Sequence, residues 1–530
     1  MDGKKLLETI EKLRQVRTRE DLKAPPSKIL KSEIKSGVPL TLRQYQVQGI
    51  LHLLAMPRFV LGDDTGLGKT LQTIAALSYL WDKKPDLPAL ICTTKSAVGQ
   101  WESEFDRFTH GVAVFKLLGT KAKRRKIHEA FNSYSEGPKV LVMGYRTAVM
   151  DFQFLQSMTG HVMVFDEATA FKNDSAQVHQ VCKHLAGSAE RVWSLSATII
   201  KNRLMEAWAI YKVTVPHLFT SKNAFMREYC ITRDQPIGGG RKIKVVVGHR
   251  KHDIQAFREV IDPYFLGRPK HLVAQELPPL TTNVIECDLT KIQKEKYKEA
   301  LDGLLEVNDK KTGELREREV TKLTAVTICQ QITNHPALVD VEGDSGKLDT
   351  LLELLDNELE GEKVIIFSRF RQMVDILEGE LEAKKIKTCR ITGAEDGDAR
   401  VKSQKLFQDP DSKVTVCLIT MAAAEGVNLQ LAKAVIFYDT PWSAGDYLQI
   451  IGRMIRIGSI HDRVFSYHIV SPKTIDERVM KTLKAKMDLI ESVLGKRLKQ
   501  EGEAEEDIIE YGQSEIADLF DGLLEDAKGS

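Results

Sequence analysis

Several features are missing from this chain of 530 residues, and each absence narrows what the protein can be. No stretch of 18 consecutive apolar residues occurs, so the sequence offers no candidate for a membrane-spanning helix. The seven cysteines are scattered and form no CxxC pair. This pattern argues against a zinc site or a disulfide framework and favours a reducing compartment. The first residues, MDGKKLLETIEKLRQ, have the pattern of an amphipathic helix and not of a signal peptide. We therefore expect a cytoplasmic or nucleoid protein.

A strong excess of one charge is also missing, since the net charge is +2 at pH 7. The distribution of charge is more informative. The N-terminal arm and residues 116–126 lean basic, whereas the last 30 residues are acidic. The chain is too long for one hydrophobic core, so several domains are expected.

The strongest signal that is present is LGDDTGLGKT, from Leu61 to Thr70. It follows an apolar run and opens onto LQTIAALSYL, a helix-like run. A strand, a glycine-rich turn and a helix form the setting in which a GK[ST] string binds phosphate through backbone N–H groups. Lys69 is then expected to reach the outer phosphates, and the Thr70 hydroxyl to hold Mg²⁺. The alternative is a purely structural glycine turn.

A second chemical element is VMVFDEAT, in which an apolar run ends at Phe165 and two carboxylates follow. Asp166 suits the water shell of Mg²⁺, and Glu167 suits polarising the water that attacks a γ-phosphate. A solvated turn is the common alternative for such a pair at a strand end. Its place after the glycine-rich turn favours the functional interpretation.

Apolar runs bounded by polar turns define the fold class, because runs of this composition are typical of strands buried on both faces of a parallel sheet. The first set comprises PALICTT, KVLVMGY, HVMVFDEA and RVWSLSAT, and the second comprises KVIIFSRF, TVCLITM, AVIFYDT and VFSYHIV. The sequence therefore predicts two α/β domains with ligands at the carboxyl ends of the strands. The second domain has no GK[ST] string, so it cannot hold a nucleotide alone, although it could complete a site.

QIIGRMIRIG equips the second domain with Arg453 and Arg456, which are three residues apart. On a helix they would share one face. Two such arginines could clamp a γ-phosphate and stabilise the charge of the transition state. A surface salt-bridge pair is the alternative.

Three weaker signals have simple structural alternatives. Gln46, in LRQYQVQGI, could bind adenine bidentately, although glutamine is also common on exposed helix faces. The segment from Ser194 to Thr198 could relay the state of the phosphate to neighbouring loops, or it could cap a helix. The turn from Gly238 to Gly240, flanked by basic residues, could be a hairpin tip or a backbone-contacting loop.

Together these motifs resemble superfamily-two nucleic-acid ATPases, and specifically the Swi/Snf family of double-stranded DNA translocases, from about Leu42 to Val479. DDTGLGKT is similar to the family's DEMGLGKT, which accounts for Asp63 where a glycine is usual. DEATAFKN resembles DEAHRIKN, QQITNHPALV resembles the CNHP segment, and SGKLDTLLELL resembles the SGKL helix. TMAAAEGVNLQLAKAVIFYDTPW resembles the segment that grips one DNA strand, and QIIGRMIRIG resembles QAxDRAHRIGQ.

The resemblance implies an α/β protein with two RecA-like parallel-sheet lobes, a helical insertion between them, flanking terminal helices, and ATP and Mg²⁺ as cofactors. The residues implied to bind the nucleotide are Gln46, Asp63, Asp64, Thr65, Gly66, Leu67, Gly68, Lys69, Thr70, Asp166 and Gly426, with Thr70 and Asp166 on the metal. Catalytic roles are implied for Lys69, Glu167, Arg453 and Arg456. Nucleic-acid contacts are implied for Lys95, Trp101, Lys172, Asn173, Thr420, Asn428 and Trp442.

The predicted domains are an N-terminal helix and linker (1–40), an ATP-binding lobe (41–275), a helical insertion or hinge (276–344), a second lobe (345–480), and a brace helix with an acidic amphipathic tail (481–530). The tail could pack on its own body or bind a protein partner.

Some positions depart from the family pattern. Thr169 stands where the family has histidine, Ser196-Ala197-Thr198 replaces Gly-Thr-Pro, Ser443-Ala444 replaces Asn-Pro, and Ser459 replaces glutamine. These departures mark a divergent member. The lean chain is typical of a bacterial or viral version, and a viral one would act in the host cytoplasm.

The leading hypothesis is a monomeric DNA-dependent ATPase that translocates on duplex DNA and remodels or displaces what is bound to it. One rival is a strand-separating or branch-migrating helicase on forked DNA or RNA, which Ser196-Ala197-Thr198 leaves open. A second is an ATP switch or scaffold that does not hydrolyse ATP, and a remote third is a phosphate-loop kinase. The joint presence of Lys69, Asp166, Glu167 and Arg453 argues against the switch.

Overall fold

The structure is a computed structural model that describes residues 27–35, 38–200, 203–236, 242–269, 273, 277–308, 315–319, 322–395, 397–421, 427–456, 459–494 and 508–510. The N-terminal helix predicted before residue 27, the glycines at 238–240, Gly426 and the tail from 511 onward lie outside these residues. The chain divides into two compact units. Unit 1 comprises Met1–Cys230, Arg250–Gln275 and Ile490–Ala504, and unit 2 comprises Ile231–His249, Glu276–Leu489 and Glu505–Ser530.

Strands and helices alternate along most of the chain, as the apolar runs predict. The strands are β1 (Glu33–Lys35), β2 (Val38–Pro39), β3 (Arg58–Leu61), β4 (Ala89–Thr93), β5 (Ala113–Lys116), β6 (Lys139–Gly144), β7 (Val162–Asp166), β8 (Arg191–Leu195), β9 (Ile231–Pro236), β10 (Lys242–Arg250), β11 (Phe265–Leu266), β12 (Leu280–Glu286), β13 (Leu304–Asn308), β14 (Leu315–Glu319), β15 (Val364–Phe367), β16 (Thr388–Ile391), β17 (Val416–Ile419), β18 (Ala434–Phe437), β19 (Val464–Val470) and β20 (Ile508–Glu510).

The helices are α1 (Gln44–Ala55), α2 (Lys69–Lys83), α3 (Val98–Phe108), α4 (Lys121–Ser133), α5 (Tyr145–Met150), α6 (Phe152–Leu155), α7 (Gln177–Ser188), α8 (Leu204–Thr214), α9 (Lys222–Tyr229), α10 (Lys251–Ile261), α11 (Lys291–Asp302), α12 (Lys322–Asn334), α13 (Gly346–Asn357), α14 (Arg371–Ala383), α15 (Gly397–Phe407), α16 (Ala444–Met454) and α17 (Ile475–Leu494). Short 3₁₀ turns occupy Lys95–Ala97, Ala168–Phe171, Asp262–Tyr264 and Pro336–Val339. Within the described ranges, none of these helices combines the length and the apolar character that a bilayer crossing demands.

Unit 1 is organised around a seven-stranded sheet with the order β11-β3-β8-β7-β4-β6-β5. Every neighbouring pair in this sheet is parallel. The central strands are buried along almost their whole length, because helices connect parallel strands and cover both faces. Trp81, Trp101 and Phe105 pack in the hydrophobic core of unit 1.

Unit 2 contains a six-stranded sheet with the order β12-β19-β18-β15-β17-β16, again with every neighbouring pair parallel. The predicted fold class, α/β with two parallel-sheet lobes, is therefore confirmed. The prediction of a helical insertion over residues 276–344 differs from the structure. That range contains β12, which pairs with β19 at the edge of the sheet, and the antiparallel hairpin of β13 and β14. Strand β12 alternates between half-buried and exposed residues and follows shortly after prolines, so it lacks the apolar run that marks central strands.

Residues on either side of the triple glycine form the antiparallel pair of β9 and β10. Their register joins Lys242 to Pro236, so the flanking strands are those of a hairpin. This arrangement agrees with the simpler of the two interpretations of that turn.

Candidate active site

The glycine-rich turn lies where the sequence predicts it, between the end of β3 at Leu61 and the start of α2 at Lys69. Gly66 and Gly68 have left-handed backbone angles, with φ of 86° and 77°. A Cβ atom on Gly68 would lie 2.7 Å from Nε2 of Gln46, so a larger residue does not fit there. A left-handed turn that leads directly into a helix N-terminus is the arrangement that binds phosphate.

The ammonium group of Lys69 lies against this turn. Its Nζ donates to the backbone oxygens of Asp63 at 2.7 Å and of Asp64 at 3.4 Å. Burial lowers the pKa of Lys69, and the nearby carboxylates of Glu167, Asp63 and Asp166 oppose that shift. Charge-assisted hydrogen bonds to phosphate are stronger than bonds to neutral carbonyls. A phosphate group would therefore compete well for this ammonium.

Asp63, which replaces the usual glycine, faces the protein interior and is fully buried. Its Oδ1 accepts from Nε of Arg268 at 2.8 Å, and its Oδ2 accepts from Nη2 of Arg268 at 2.5 Å. Gln72 donates to the same Oδ2 at 3.0 Å. Asp63 was predicted to be a nucleotide-binding residue, and because a bidentate ion pair occupies its carboxylate, only its backbone is left for that role. Sequence reasoning missed Arg268, which lies 205 residues further along the chain.

Gln46 is buried beside the turn, with both ends of its amide bonded to the protein. Its Oε1 accepts from the backbone N–H of Arg43 at 3.0 Å, which closes a capping box at the start of α1. Its Nε2 donates to the backbone oxygen of Leu67 at 3.3 Å. The predicted bidentate contact with adenine would require the exchange of both bonds, so the structure shows Gln46 supporting the turn.

Asp166 and Glu167 follow β7, as predicted. Oδ2 of Asp166 accepts from the hydroxyl of Thr93 at 2.9 Å and from the indole N–H of Trp101 at 2.8 Å. Burial and the neighbouring charge of Glu167 raise the pKa of Asp166, while these two hydrogen bonds lower it. Glu167 has a left-handed backbone, with φ of 54° and ψ of 57°. This conformation is uncommon for a residue other than glycine and is frequent at functional sites.

The order of strands in the sheet brings these elements together. The glycine-rich turn follows β3, Asp166 ends β7, and β8 lies between those two strands. Ser196, after β8, donates its backbone N–H to the oxygen of Leu61 at 3.1 Å. Its hydroxyl donates to the backbone oxygen of Thr198 at 2.6 Å. The alternative of a helix cap is wrong here, because the next helix has Arg203 as its N-cap.

Trp101 was predicted to contact nucleic acid, and the structure corrects this. The side chain is 1% exposed, its ring packs beside Phe105 in the core, and its indole N–H is bound to Asp166. A nucleic acid could not reach a ring in this position.

The other three residues of unit 1 with predicted nucleic-acid contacts lie nearer the surface. Lys95 is exposed on a 3₁₀ turn. Lys172 is half-buried and forms an ion pair with Glu206, with 2.7 Å between Nζ and Oε1. Asn173 is exposed, and its Oδ1 accepts from the hydroxyl of Ser175 at 2.8 Å.

The arginine pair of unit 2 does not lie on one helix. Arg453 is in the last turn of α16, which ends at Met454, and Arg456 follows the helix end. The premise that both share a helix face is therefore wrong. Arg453 is 9% exposed, and its Nη1 donates to the backbone oxygen of Val427 at 3.5 Å. Arg456 is half-buried, and its backbone oxygen accepts from the N–H of Ser459 at 3.0 Å.

The predicted nucleic-acid contacts of unit 2 lie in different surroundings. Thr420 is buried beyond the end of β17, whereas Asn428 is half-buried and donates to Oε1 of Gln430 at 3.3 Å. Trp442 is half-buried, and its indole N–H donates to Oε1 of Gln330 at 3.0 Å. The guanidinium of Arg369 lies 5.3 Å from the centre of the Trp442 ring. Trp442 is thus fixed by its neighbours.

A buried polar network in unit 2 escaped sequence reasoning. Lys347 is 1% exposed and donates to Oδ2 of Asp476, Oδ1 of Asn334 and the backbone oxygen of Tyr438, at 2.7, 3.1 and 3.1 Å. Nδ2 of Asn334 donates to Oδ2 of Asp439 at 2.9 Å. The network joins the SGKL and NHP strings to the end of β18. Both strings were identified by their resemblance to the family, but no role was predicted for them.

The chemistry of unit 1 fits ATP and Mg²⁺. The left-handed turn, the ammonium of Lys69 and the helix start suit triphosphate oxygens. Magnesium is usually held by one or two carboxylates together with substrate phosphates and water, and Asp166 lies on the same sheet edge as Thr70. Unit 1 has the phosphate-binding turn, and the sequence of unit 2 has no second GK[ST] string. Helicase-like motors likewise have one phosphate-binding lobe and one lobe without such a turn. Unit 1 therefore carries the residues of a helicase-like nucleotide-binding site.

Comparison with known proteins agrees with that class. The SNF2-related domain matches residues 45–338, and the helicase conserved C-terminal domain matches residues 346–458. The chain belongs to the SNF2 family, as the motifs predict.

Two relatives illustrate the range of the family. The chain is 29% identical over 520 residues to the ISWI chromatin-remodeling complex ATPase ISW2 of Saccharomyces cerevisiae. This alignment covers 92% of the present chain and 44% of the relative. It is 30% identical over 480 residues to the probable ATP-dependent DNA helicase CHR12 of Arabidopsis thaliana, with 86% and 42% covered. The chain therefore spans less than half the length of these relatives.

Among solved structures, the chain is similar to the Sulfolobus solfataricus SWI2/SNF2 ATPase core in complex with dsDNA. The TM-score is 0.41 at 24% identity, and the likeness covers 88% of this chain and 95% of the other.

Proposed function

We propose that the protein is a DNA-dependent ATPase that moves along double-stranded DNA and remodels or displaces what is bound there. The proposal rests on the carboxyl ends of the strands in the unit 1 sheet. There, Lys69 lies on the glycine-rich turn that follows β3, and Asp166 ends β7. Membership of the SNF2 family supports the choice of DNA as the track.

The residues of unit 1 have distinct roles in the proposed reaction. Thr70 and Asp166 would hold Mg²⁺, which when bound would neutralise charge on the phosphate oxygens. Lys69 exchanges the two backbone carbonyls for the outer phosphates. Glu167 orients the attacking water and takes its proton. Arg453 and Arg456 are proposed to stabilise the charge of the transition state.

Contacts with DNA are proposed to go chiefly to phosphates, which position a protein without reading sequence. The exposed Lys95 and Asn173 are the candidates in unit 1. Trp442 and Asn428 are the candidates in unit 2. We expect little preference for base sequence, because a translocase must bind every position along its track.

A strand-separating helicase is the second candidate function. It rests on Ser196-Ala197-Thr198, which is similar to helicases outside the family. In the structure this segment adjoins the strand that leads to the glycine-rich turn. The same motor could therefore be coupled to either outcome.

The deciding experiment is steady-state ATP hydrolysis without nucleic acid and with single-stranded DNA, duplex DNA, forked DNA or RNA. The salt concentration must be fixed, because phosphate binding depends steeply on it. Stimulation mainly by duplex DNA is expected, and triplex displacement would then test movement. Stimulation mainly by single strands, forks or RNA would replace the translocase with the helicase.

Lys69→Ala is the matched test of the nucleotide site. Loss of the ammonium should lower turnover by about 10³-fold, because catalysis of phosphoryl transfer depends on positioned cations. Normal hydrolysis by this variant would contradict the proposed site.

A further inference from the structure

The side chain of Trp101, which the sequence placed at the DNA, instead contacts Asp166. Its indole N–H donates to Oδ2 of Asp166 at 2.8 Å, and the Thr93 hydroxyl donates to the same oxygen at 2.9 Å. Both donors come from elements other than β7: Thr93 ends β4, and Trp101 belongs to α3. The carboxylate is thus oriented from outside its own strand.

The donors themselves are held firmly. Trp101 is 1% exposed, and its ring centre lies 6.0 Å from that of Phe105 within the core of unit 1. Thr93 is fully buried. The backbone oxygen of Asp166 also accepts from the hydroxyl of Tyr145 at 2.8 Å, so the residue is fixed at its backbone as well. Such fixed partners set the orientation of a metal-binding carboxylate.

We propose that Trp101 and Thr93 are positioning residues that hold one oxygen of Asp166, so that the other is directed at the Mg²⁺ of the bound nucleotide. This inference rests on the proposed ATPase site and adds the residues that orient its metal ligand. An indole N–H suits this task because it can only donate, so it can bind a carboxylate oxygen and cannot compete for the cation.

The same contacts connect the metal ligand to the surface around Lys95, which we propose to contact DNA. Thr93 and Trp101 bracket the exposed turn that carries Lys95, and α3 follows that turn directly. A displacement of this turn by a nucleic-acid backbone would move one or both donors of Asp166. Nucleic acid could therefore alter the affinity of the site for Mg²⁺ through a path of two hydrogen bonds.

The test is the Mg²⁺ dependence of binding of a fluorescent non-hydrolysable ATP analogue to the full chain. Trp101→Phe removes the donor and keeps an aromatic ring. Its half-saturating Mg²⁺ concentration should rise by about 10-fold, the lower end of the loss seen when partners of metal ligands are removed. Thr93→Val should also raise the half-saturating Mg²⁺ concentration. Thr93→Ser keeps the hydroxyl and should have the same half-saturating concentration as the unchanged protein.

Trp81→Phe is the matched control, because Trp81 is also fully buried beside Phe105 but donates its indole N–H to the backbone oxygen of Leu87. A second readout needs no metal: the ¹H–¹⁵N indole resonance of Trp101 should shift in Asp166→Asn, and that of Trp81 should not.

The outcomes separate the two proposals. If Trp101→Phe folds and keeps its Mg²⁺ dependence, or if Trp81→Phe shifts it equally, the positioning role is wrong and the ATPase remains. If the unchanged protein shows no Mg²⁺-dependent nucleotide binding, the proposed ATPase site fails, and the inference fails with it.

Discussion

Each unit has a lysine near acidic groups at its parallel sheet, and the two lysines differ in the acceptors of their hydrogen bonds. Lys347 in unit 2 has three acceptors, one of them the carboxylate of Asp476, which matches the three hydrogens of an ammonium group. The acceptors of Lys69 in unit 1 are two backbone carbonyls of its own turn. A lysine that is satisfied by a buried carboxylate stabilises a fold, whereas one that rests on weak neutral acceptors is available to a ligand. Substitutions in either unit test this difference.

The largest effect is expected from the arginines of unit 2. Arg456→Ala and Arg453→Ala should each lower the rate of ATP hydrolysis by about 10³–10⁵-fold, because arginine fingers stabilise charge that develops only in the transition state. This corresponds to about 4–7 kcal/mol of activation free energy. The measurement is kcat with saturating duplex DNA and Mg²⁺.

Nucleotide affinity is the control for the arginines. If they act on the transition state, the variants should bind the ATP analogue within a few-fold of the unchanged protein. A large loss of thermal stability in Arg453→Ala, with Arg456→Ala stable and active, would instead assign Arg453 to the structure of unit 2, where it already contacts Val427.

Lys347→Met tests the structural side of the comparison. Removal of the ammonium leaves Asp476 buried without its ion-pair partner, so the free energy of unfolding should fall by about 3–5 kcal/mol. Lys69→Met should leave the stability nearly unchanged and lower the rate of hydrolysis by about 10³-fold. Chemical denaturation and ATPase assays on both variants check this, and a stable Lys347→Met protein would show that the network contributes little.

Local patterns were sufficient to predict the elements that bear the site. The apolar runs predict β3, β4, β7 and β8 because strands in a parallel sheet are buried on both faces, and parallel strands put their carboxyl ends at one edge. Glycine, lysine and carboxylate positions at those ends follow directly. The edge strand β12 was missed because a strand with one solvated side loses the continuous apolar run.

Partners that are distant in sequence could not be predicted in the same way. The ion pair of Asp63 and Arg268 joins residues 205 positions apart, and neither residue carries a local signal for the other. Trp101 was assigned by resemblance to the DNA track, but the direction of a side chain on a helix depends on what packs against it. The local signal for its burial was its place on the apolar face of α3, with Phe105 and Phe108.

A smaller loss of stability is expected in unit 1 from Arg268→Met, which removes the ion pair with Asp63. Asp63 would keep the hydrogen bond from Gln72 and lose the bidentate pair, so a loss of about 3 kcal/mol in unfolding free energy is expected. Because the pair orders the glycine-rich turn, nucleotide affinity should fall as well. Asp63→Asn in the same background should recover part of the stability, since it removes the unpaired charge. If Arg268→Met is as stable as the unchanged protein, the ion pair does not hold the turn.

The smallest effect compares one buried histidine from each unit. Burial lowers the pKa of His161 in unit 1 and of His468 in unit 2 to about 4, from 6.5. The unfolded chain therefore binds more protons than the folded chain between these values, so stability is lost as the pH falls from about 6.5 towards 4. Protonation of each histidine should therefore lower the free energy of unfolding by about 3 kcal/mol over this window. His468→Phe keeps a ring beside Phe437 and should flatten the fall of Tm with pH, whereas replacement of the exposed His110 by glutamine should not. An unchanged pH profile in His468→Phe would mean that this ring is protonated without cost in the folded unit.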